Sequence, residues 1–358
     1  MRKRKISGIF LLKRGPPYHK SEQTRRLKKA SAATEETLAL CCKFIAMTKD
    51  SRGQIALVAA FAAIYIIWGS TYLVNYFAIQ EIPPFLMSGS RFMIAGGILF
   101  VYASISGGAM PTVLQWKNGL LAGFLFLALG TGLVVWSEQY IDTGLVALFV
   151  AFEPLVIVMM VWVWRGQVPG WNSILGVAVG VIGMVLLVGQ PKVTGDRETL
   201  FGVLAITVAI FSWAFASIYV TKIELPKSGL QSAAVQMIGG GVSLLLLGAV
   251  SGEQEGFDVQ KVGARAWLSY GYLIFAGSIL AYSAFNYLLF RVSPEKVATS
   301  NYVNPVVAMS LGWAFNGEQH GVQSILAAFL LLSGVFFINS RFVFGRGRKE
   351  PLTLDRPS

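Results

Sequence analysis

The sequence predicts an all-α integral membrane protein with ten transmembrane helices, arranged as two inverted five-helix repeats. Three observations carry this. Of 358 residues, 54% are hydrophobic and only 13% charged, about half the charge of an ordinary soluble domain. Apolar stretches long enough to cross a bilayer recur along the chain. The sequence also resembles itself at a fixed offset of 151 residues.

Charge is unevenly distributed. The net charge is +12, yet residues 1–46 hold 12 Lys/Arg against 3 Glu, and the remainder 18 against 15 acidic residues. The leading "MRKRKISGIFLLKRGPPYHK" has no apolar run longer than Ile9 to Leu12, too short for a signal-peptide core. It reads as a disordered basic tail over 1–53. Its charge suits an anionic-lipid arm, and its composition fits a dispensable segment. A chain begun at Met47 is expected to insert and transport as well as the full sequence, which a flux assay on that shortened protein checks. Both cysteines, Cys41 and Cys42, lie in this segment, so the hydrophobic body has no thiol for disulfides, zinc or nucleophilic catalysis. The two histidines, His19 and His320, are far apart, which argues against a histidine metal site. No cofactor is expected.

The spans fall at about 55–79, 83–104, 119–139, 143–164, 172–189, 201–221, 230–250, 267–290, 297–315 and 323–344, each near the length a bilayer core requires. Their connections are short. With both termini placed in the cytoplasm, the tails and the loops on that side carry 25 of the 30 basic residues. The opposite loops carry four: Lys192, Arg197, Lys261 and Arg265. The bias of basic residues toward the cytoplasm therefore predicts that both termini are inside.

At the 151-residue offset, Val146/Val297, Ala147/Ala298, Pro154/Pro305, Trp162/Trp313, Gly166/Gly317, Gly170/Gly321 and the Ser-Ile-Leu at 173–175/324–326 coincide without a gap. Trp68 and Trp213 give a weaker echo. Span 4 matches span 9 and span 5 matches span 10. With five spans per half, the second copy is turned over, the pattern of alternating-access carriers that bind substrate at the repeat interface. The chain divides into the tail, a first repeat over 54–190, a second over 200–345, and a cytoplasmic tail over 346–358.

Polar residues inside the spans are the candidates for function, because unpaired polar groups are costly there. Trp68, Thr71 and Asn75 share a face of span 1. Thr131, Val135 and Glu138 share one in span 3, Tyr282 and Asn286 one in span 8, and Asn301, Asn304 and Ala308 one in span 9. These faces could line a cavity or simply tie helices together. Trp68 and Trp213 lie deep and suit a gate or cavity wall, whereas Trp136, Trp162, Trp164, Trp171 and Trp267 fall near span ends and suit interfacial anchors. Gly176, Gly180 and Gly183 suit close helix packing. Pro154 and Pro305 are expected to kink spans 4 and 9.

Two buried charges stand out. Arg91 lies ~12 Å into span 2 and Glu153 ~15 Å into span 4, at about 1.5 Å per residue from the same face. Each alone costs roughly 2.5–3.5 kcal/mol at mid-span. They are expected to pair across the cavity, leaving a guanidinium able to grip a substrate carboxylate in two-point fashion. Glu138, nearer the outer surface, is the alternative partner for Arg91.

No GxxxxGK[ST] is present, so direct ATP drive is not expected. No HExxH or Gly-x-Ser-x-Gly points to an embedded enzyme, and the loops leave no room for a signalling domain.

The motifs "WGSTY" at 68–72, "IPPFLMSGSRF" at 82–92, "SEQYIDTGLVAL" at 137–148, Pro154, "NPVVA" at 304–308 and "GE" at 317–318 resemble the EamA-type branch of the drug/metabolite transporter superfamily over about 54–345. The resemblance implies a bacterial inner-membrane secondary transporter. It further implies export of an amino acid or related small metabolite, with import or exchange as the alternative. The partners implied are a small-molecule substrate and the lipid bilayer, not nucleic acid, with a homodimer among the arrangements open to it. Two departures stand out. Gly166-Gln167 replaces the "GE" turn in the first half, and Glu153 stands where relatives carry a small or apolar residue.

Overall fold

Helices account for most of the described residues. The computed structural model describes residues 53–166, 170–190, 197–292, 297 and 300–339. The N-terminal tail and the Met47 start lie outside these residues, as does the C-terminal tail.

Ten helices follow one another among the described residues. They are α1 (Gly53–Ile79), α2 (Pro84–Ile105), α3 (Val113–Ser137), α4 in two pieces (Thr143–Val150 and Glu153–Arg165), α5 (Trp171–Val188), α6 (Arg197–Tyr219), α7 (Gly229–Val250), α8 (Ala264–Leu289), α9 (Ser300–Asn316) and α10 (Val322–Asn339). Eight of them, α1 to α8, are long and apolar enough to cross a membrane. The described part of α9 is shorter and carries Asn301, Asn304, Ser310 and Asn316, which lower its hydropathy. In α10 the apolar stretch is Val322–Phe337. The protein is thus an all-helical, multi-pass membrane protein. Its exposed surface is rich in large apolar side chains, such as Ile98, Val101, Leu246 and Phe329, as lipid contact requires.

Most boundaries agree with the sequence reading to within a few residues. The largest difference is at α3, which starts at Val113 rather than near residue 119. A capping box sets this start. The Thr112 hydroxyl accepts from the Gln115 amide, and the Gln115 side chain accepts from the Thr112 amide, both at 3.2 Å.

The expected interruption appears in α4, which breaks at Ala151–Phe152 just ahead of Glu153 and Pro154. The described part of α9 instead stays helical through Pro305. Proline is tolerated at the start of a new helical piece but removes a hydrogen bond inside one.

Close packing follows the glycines. α5 lies along α10, and α2 along α7. A Cβ on Gly183 would meet the Leu331 amide at 2.9 Å, and one on Gly334 the Gly176 carbonyl at 2.6 Å. The small residues of α5 are therefore packing residues, as expected. Between α3 and α7, a Cβ on Gly123 would overlap the Gln236 carbonyl, and one on Gly239 would meet the Leu120 backbone at 2.6 Å. The buried apolar residues form two large clusters, neither confined to one half. One joins α2, α3, α7 and α8 around Phe92, Phe126 and Met237. The other joins α4, α6, α9 and α10 around Phe149, Ile206 and Leu331.

α3 and α8 each contain a wide π-helical stretch, Phe124–Gly132 and Leu273–Tyr282. In the first, Thr131 Oγ1 donates to the Phe126 carbonyl five residues back, at 3.3 Å. Such wide turns often mark functional sites.

Three carboxylates join the halves at the end that carries the α1–α2, α3–α4, α7–α8 and α9–α10 connections. Glu318 accepts from the Thr143 amide (3.1 Å), the Thr143 hydroxyl (2.7 Å) and the Gly144 amide (3.1 Å). Glu253 accepts from the Phe85 and Leu86 amides, at 3.2 and 2.8 Å. Glu81 accepts from the Gly263 amide. The capped helices α2, α4 and α8 have no side-chain cap from their own N-cap residue. Each therefore has open amide donors that suit an anion. Burial pushes the Glu253 carboxyl above the usual carboxylate range, and the two amides partly offset this. Gly312 leaves the space that the Glu318 carboxylate occupies.

Glu318→Ala should lower the thermal midpoint of the purified protein, since losing a helix cap costs about 0.5–2 kcal/mol. Glu318→Gln should retain part of that stability, because its amide oxygen can still accept. A melt in detergent compares the three proteins.

Candidate substrate-binding cavity

A cavity of about 140 Å³ lies between the halves. α1 contributes Trp68, Thr71, Tyr72 and Asn75, α2 contributes Arg91, and α4 contributes Glu153. Trp213 enters from α6, Tyr282 and Phe285 from α8, and Ser300, Asn301 and Asn304 from α9. Its walls run from Asn75 and Arg91, within about two turns of the α1–α2 connection, to Leu289 and Val297 beside the α8–α9 connection at the other end.

One wall is aromatic. Trp68 meets Trp213 edge to face, with centroids 6.2 Å apart and planes at 88°. Phe285 packs on Trp68 at 5.2 Å, and Phe126 on Trp213 at 5.0 Å. Such pairs contribute about 0.5–1.5 kcal/mol each beyond their buried area. Gly130, in the π stretch of α3, leaves room for them, since a Cβ there would sit 2.8 Å from the Trp213 ring.

Polar side chains complete the lining. Arg91 Nη1 donates to Asn75 Oδ1 at 3.0 Å, and Asn301 Nδ2 donates to Glu153 Oε2 at 3.3 Å. The expected pair of Arg91 with Glu153 is not formed. Both face the cavity, yet among the described residues no ion pair joins them. Each charge is held instead by a neutral amide from a neighbouring helix. Glu138, at the α3 terminus, is the charged neighbour of Arg91.

Of the eleven residues singled out from sequence for the pathway, Trp68, Thr71, Asn75, Arg91, Glu153, Trp213, Tyr282, Asn301 and Asn304 line the cavity. Glu138 and Asn286 do not. Glu138 is buried behind Arg91 and Asn75. Asn286 donates to the Tyr282 carbonyl at 3.1 Å and accepts from Gln236 Nε2 at 3.3 Å. Gln236, which the sequence reading passed over, also accepts from the Tyr282 hydroxyl at 2.7 Å. Asn304 lies against α1, and with its amide nitrogen turned that way it donates to the Ile64 and Tyr65 carbonyls, at 3.3 and 3.1 Å.

Tyr72, Ser300 and Phe285 were also not singled out. Tyr72 directly follows Thr71 in the Trp-Gly-Ser-Thr-Tyr run, and that adjacency was the available signal.

A multi-pass helical bundle around a small cavity with both polar and aromatic lining has the form of a membrane carrier rather than an enzyme. The chain belongs to the EamA-like transporter family, whose description matches residues 54–189 and again 200–340. It is 34% identical over 270 residues to the "Uncharacterized inner membrane transporter YedA" of Escherichia coli K12, covering 75% of this chain and 85% of that one. It is 24% identical to the "Uncharacterized transporter YoaV" of Bacillus subtilis, covering 82% and 99%. At 25% identity it resembles the "Probable amino-acid metabolite efflux pump" of Escherichia coli K12, covering 80% and 94%. A solved crystal structure at 18% identity shares the fold with a TM-score of 0.57, covering 79% of this chain and 97% of that one. The protein is thus a membrane transporter with a small-molecule substrate.

Proposed function

We propose that this transporter is a secondary carrier of the bacterial inner membrane that exports a small organic metabolite, an amino acid or related compound, by alternating access. Ten spans would form two inverted five-helix repeats around the cavity. The observation that carries this is the cavity itself, which draws a guanidinium, a carboxylate, amides and an aromatic wall from both halves. Its volume of about 140 Å³ compares with the ~150 Å³ of a cavity that holds benzene, the scale of a small metabolite.

Several matched features support inversion. The π stretches fall at corresponding places in α3 and α8. Gly166 and Gly317, 151 residues apart, both adopt left-handed backbone, at φ 61° and 67°. α2 pairs with α7 and α5 with α10, each a cross-half match. The distribution of lysine and arginine supports cytoplasmic termini. With that orientation, the latched end faces outward and the Leu289–Val297 end of the cavity faces the cytoplasm. The efflux named for one relative supports the direction. Proteoliposomes loaded with a panel of amino acids and other small metabolites test the reading. Release of at least one solute above protein-free vesicles is expected, and none from any would refute it.

A further inference from the structure

Glu138 is the residue the cavity does not use. It caps the end of α3, is 1% exposed, and neither of its carboxylate oxygens has a hydrogen-bond partner. Asn75 and Arg91 are its polar neighbours, and neither makes a hydrogen bond of normal geometry to it. Arg91 is shared between the two compartments. Its Nη1 is held by Asn75, its Nε is buried without a partner, and the guanidinium also borders the cavity.

A buried carboxylate without hydrogen bonds is costly, and two events relieve it: approach of a cation or uptake of a proton. Both are available here. Arg91 supplies the first from α2. The other ionisable groups in reach are Tyr72 on α1 and Glu318 from the α9–α10 connection, with Tyr270 of α8 facing Arg91 and Glu153 reaching Tyr72 from α4. α6 packs along the same turn of α3, and its own charges, Arg197 and Glu198, are exposed at its start.

We infer that Glu138 is a proton-exchange site whose state decides whether Arg91 is free to bind the carboxylate of a cavity ligand. This rests on the carrier reading above for its use in transport. With Glu138 ionised, its charge holds the Arg91 guanidinium. When Glu138 takes a proton from water and becomes a neutral acid, Arg91 is left with only the Asn75 amide oxygen, and a ligand carboxylate in the cavity replaces the lost anion. Proton and carboxylate therefore bind together, one of each.

Infrared titration of the full-length protein in lipid tests this without knowledge of the substrate. One component of the carboxylic-acid C=O absorption that grows on acidification should be lost in Glu138→Gln and kept in Glu153→Gln, as read in difference spectra against the wild-type protein. Isotope-labelled acetate is the ligand probe. By neutralising Arg91, acetate should move the band's midpoint to higher pH in the wild-type protein. Arg91→Gln should raise the midpoint by roughly 1–3 pH units without acetate, since loss of a neighbouring cation favours the neutral acid, and should abolish the acetate effect. A Glu138→Gln spectrum that loses no such component, or a wild-type midpoint indifferent to acetate, overturns the proposal. The acetate arm needs no variant, so it decides the matter even where a substitution prevents folding. A protein that shows the band but moves no solute would retain the proton site and lose the carrier reading instead.

Discussion

Gly123→Ala should eliminate the folded protein. A single methyl there overlaps the Gln236 carbonyl of α7, with the Gly240 amide close behind at 2.9 Å. Both obstacles are backbone, so no rotamer change can relieve them. α3 and α7 would have to separate. Overpacking of an ordinary core costs about 1–3 kcal/mol, and here the displaced interface includes the π stretch and the aromatic wall that rests on it. The expected result is loss of the monodisperse peak in size-exclusion chromatography. Gly97→Ala is the control. A Cβ at Gly97 on α2 meets nothing within 4 Å, and removing a helical glycine gains roughly 0.5–1 kcal/mol. Equal yields for the two variants would show that α3 and α7 do not approach as described.

Arg91→Ala should leave a folded protein that transports poorly. Arg91 is 4% exposed and is the cation among the cavity-lining residues described here. A hydrogen bond to a charged group contributes about 1.5–3 kcal/mol, so its loss should lower flux of a carboxylate solute roughly ten- to a hundredfold. Arg91→Lys should recover only part, because an ammonium keeps the charge but not the planar fork. Solutes without a carboxylate should be affected far less. Wild-type flux of a carboxylate solute through Arg91→Ala would remove the guanidinium from the binding site.

The candidate site was readable in sequence wherever a polar residue interrupted a lipid-length apolar run. Trp68, Thr71 and Asn75 announced one wall in this way, and Asn301 and Asn304 another. The partners were not readable. Helical period places Arg91 and Glu153 at one depth but says nothing of which way each helix turns, and Asn75 and Asn301 decided that. The aromatic wall was only half visible, because Phe126 and Phe285 look like any other lipid-compatible residues until the fold brings them together. Glu318 stood out as part of a motif, yet its role as a cap for a helix in the other half depends on contact across 175 positions of sequence. The repeat was visible because proline, tryptophan and glycine are hard to replace, and its π stretches were not, because nothing in their composition marks a wide turn.

The carboxylates at the latched end have a consequence for robustness. Glu81, Glu253 and Glu318 stitch three different helix starts across the same seam, so they act in parallel rather than in series. Losing one stitch leaves two that still hold the seam shut, and the damage is shared. Any movement that parts the seam must undo all three, uncovering anions and helix ends together, and water entering behind them can solvate both. The end is therefore forgiving of a single fault and all-or-none in its opening, and the penalties of removing stitches one after another should grow faster than their sum.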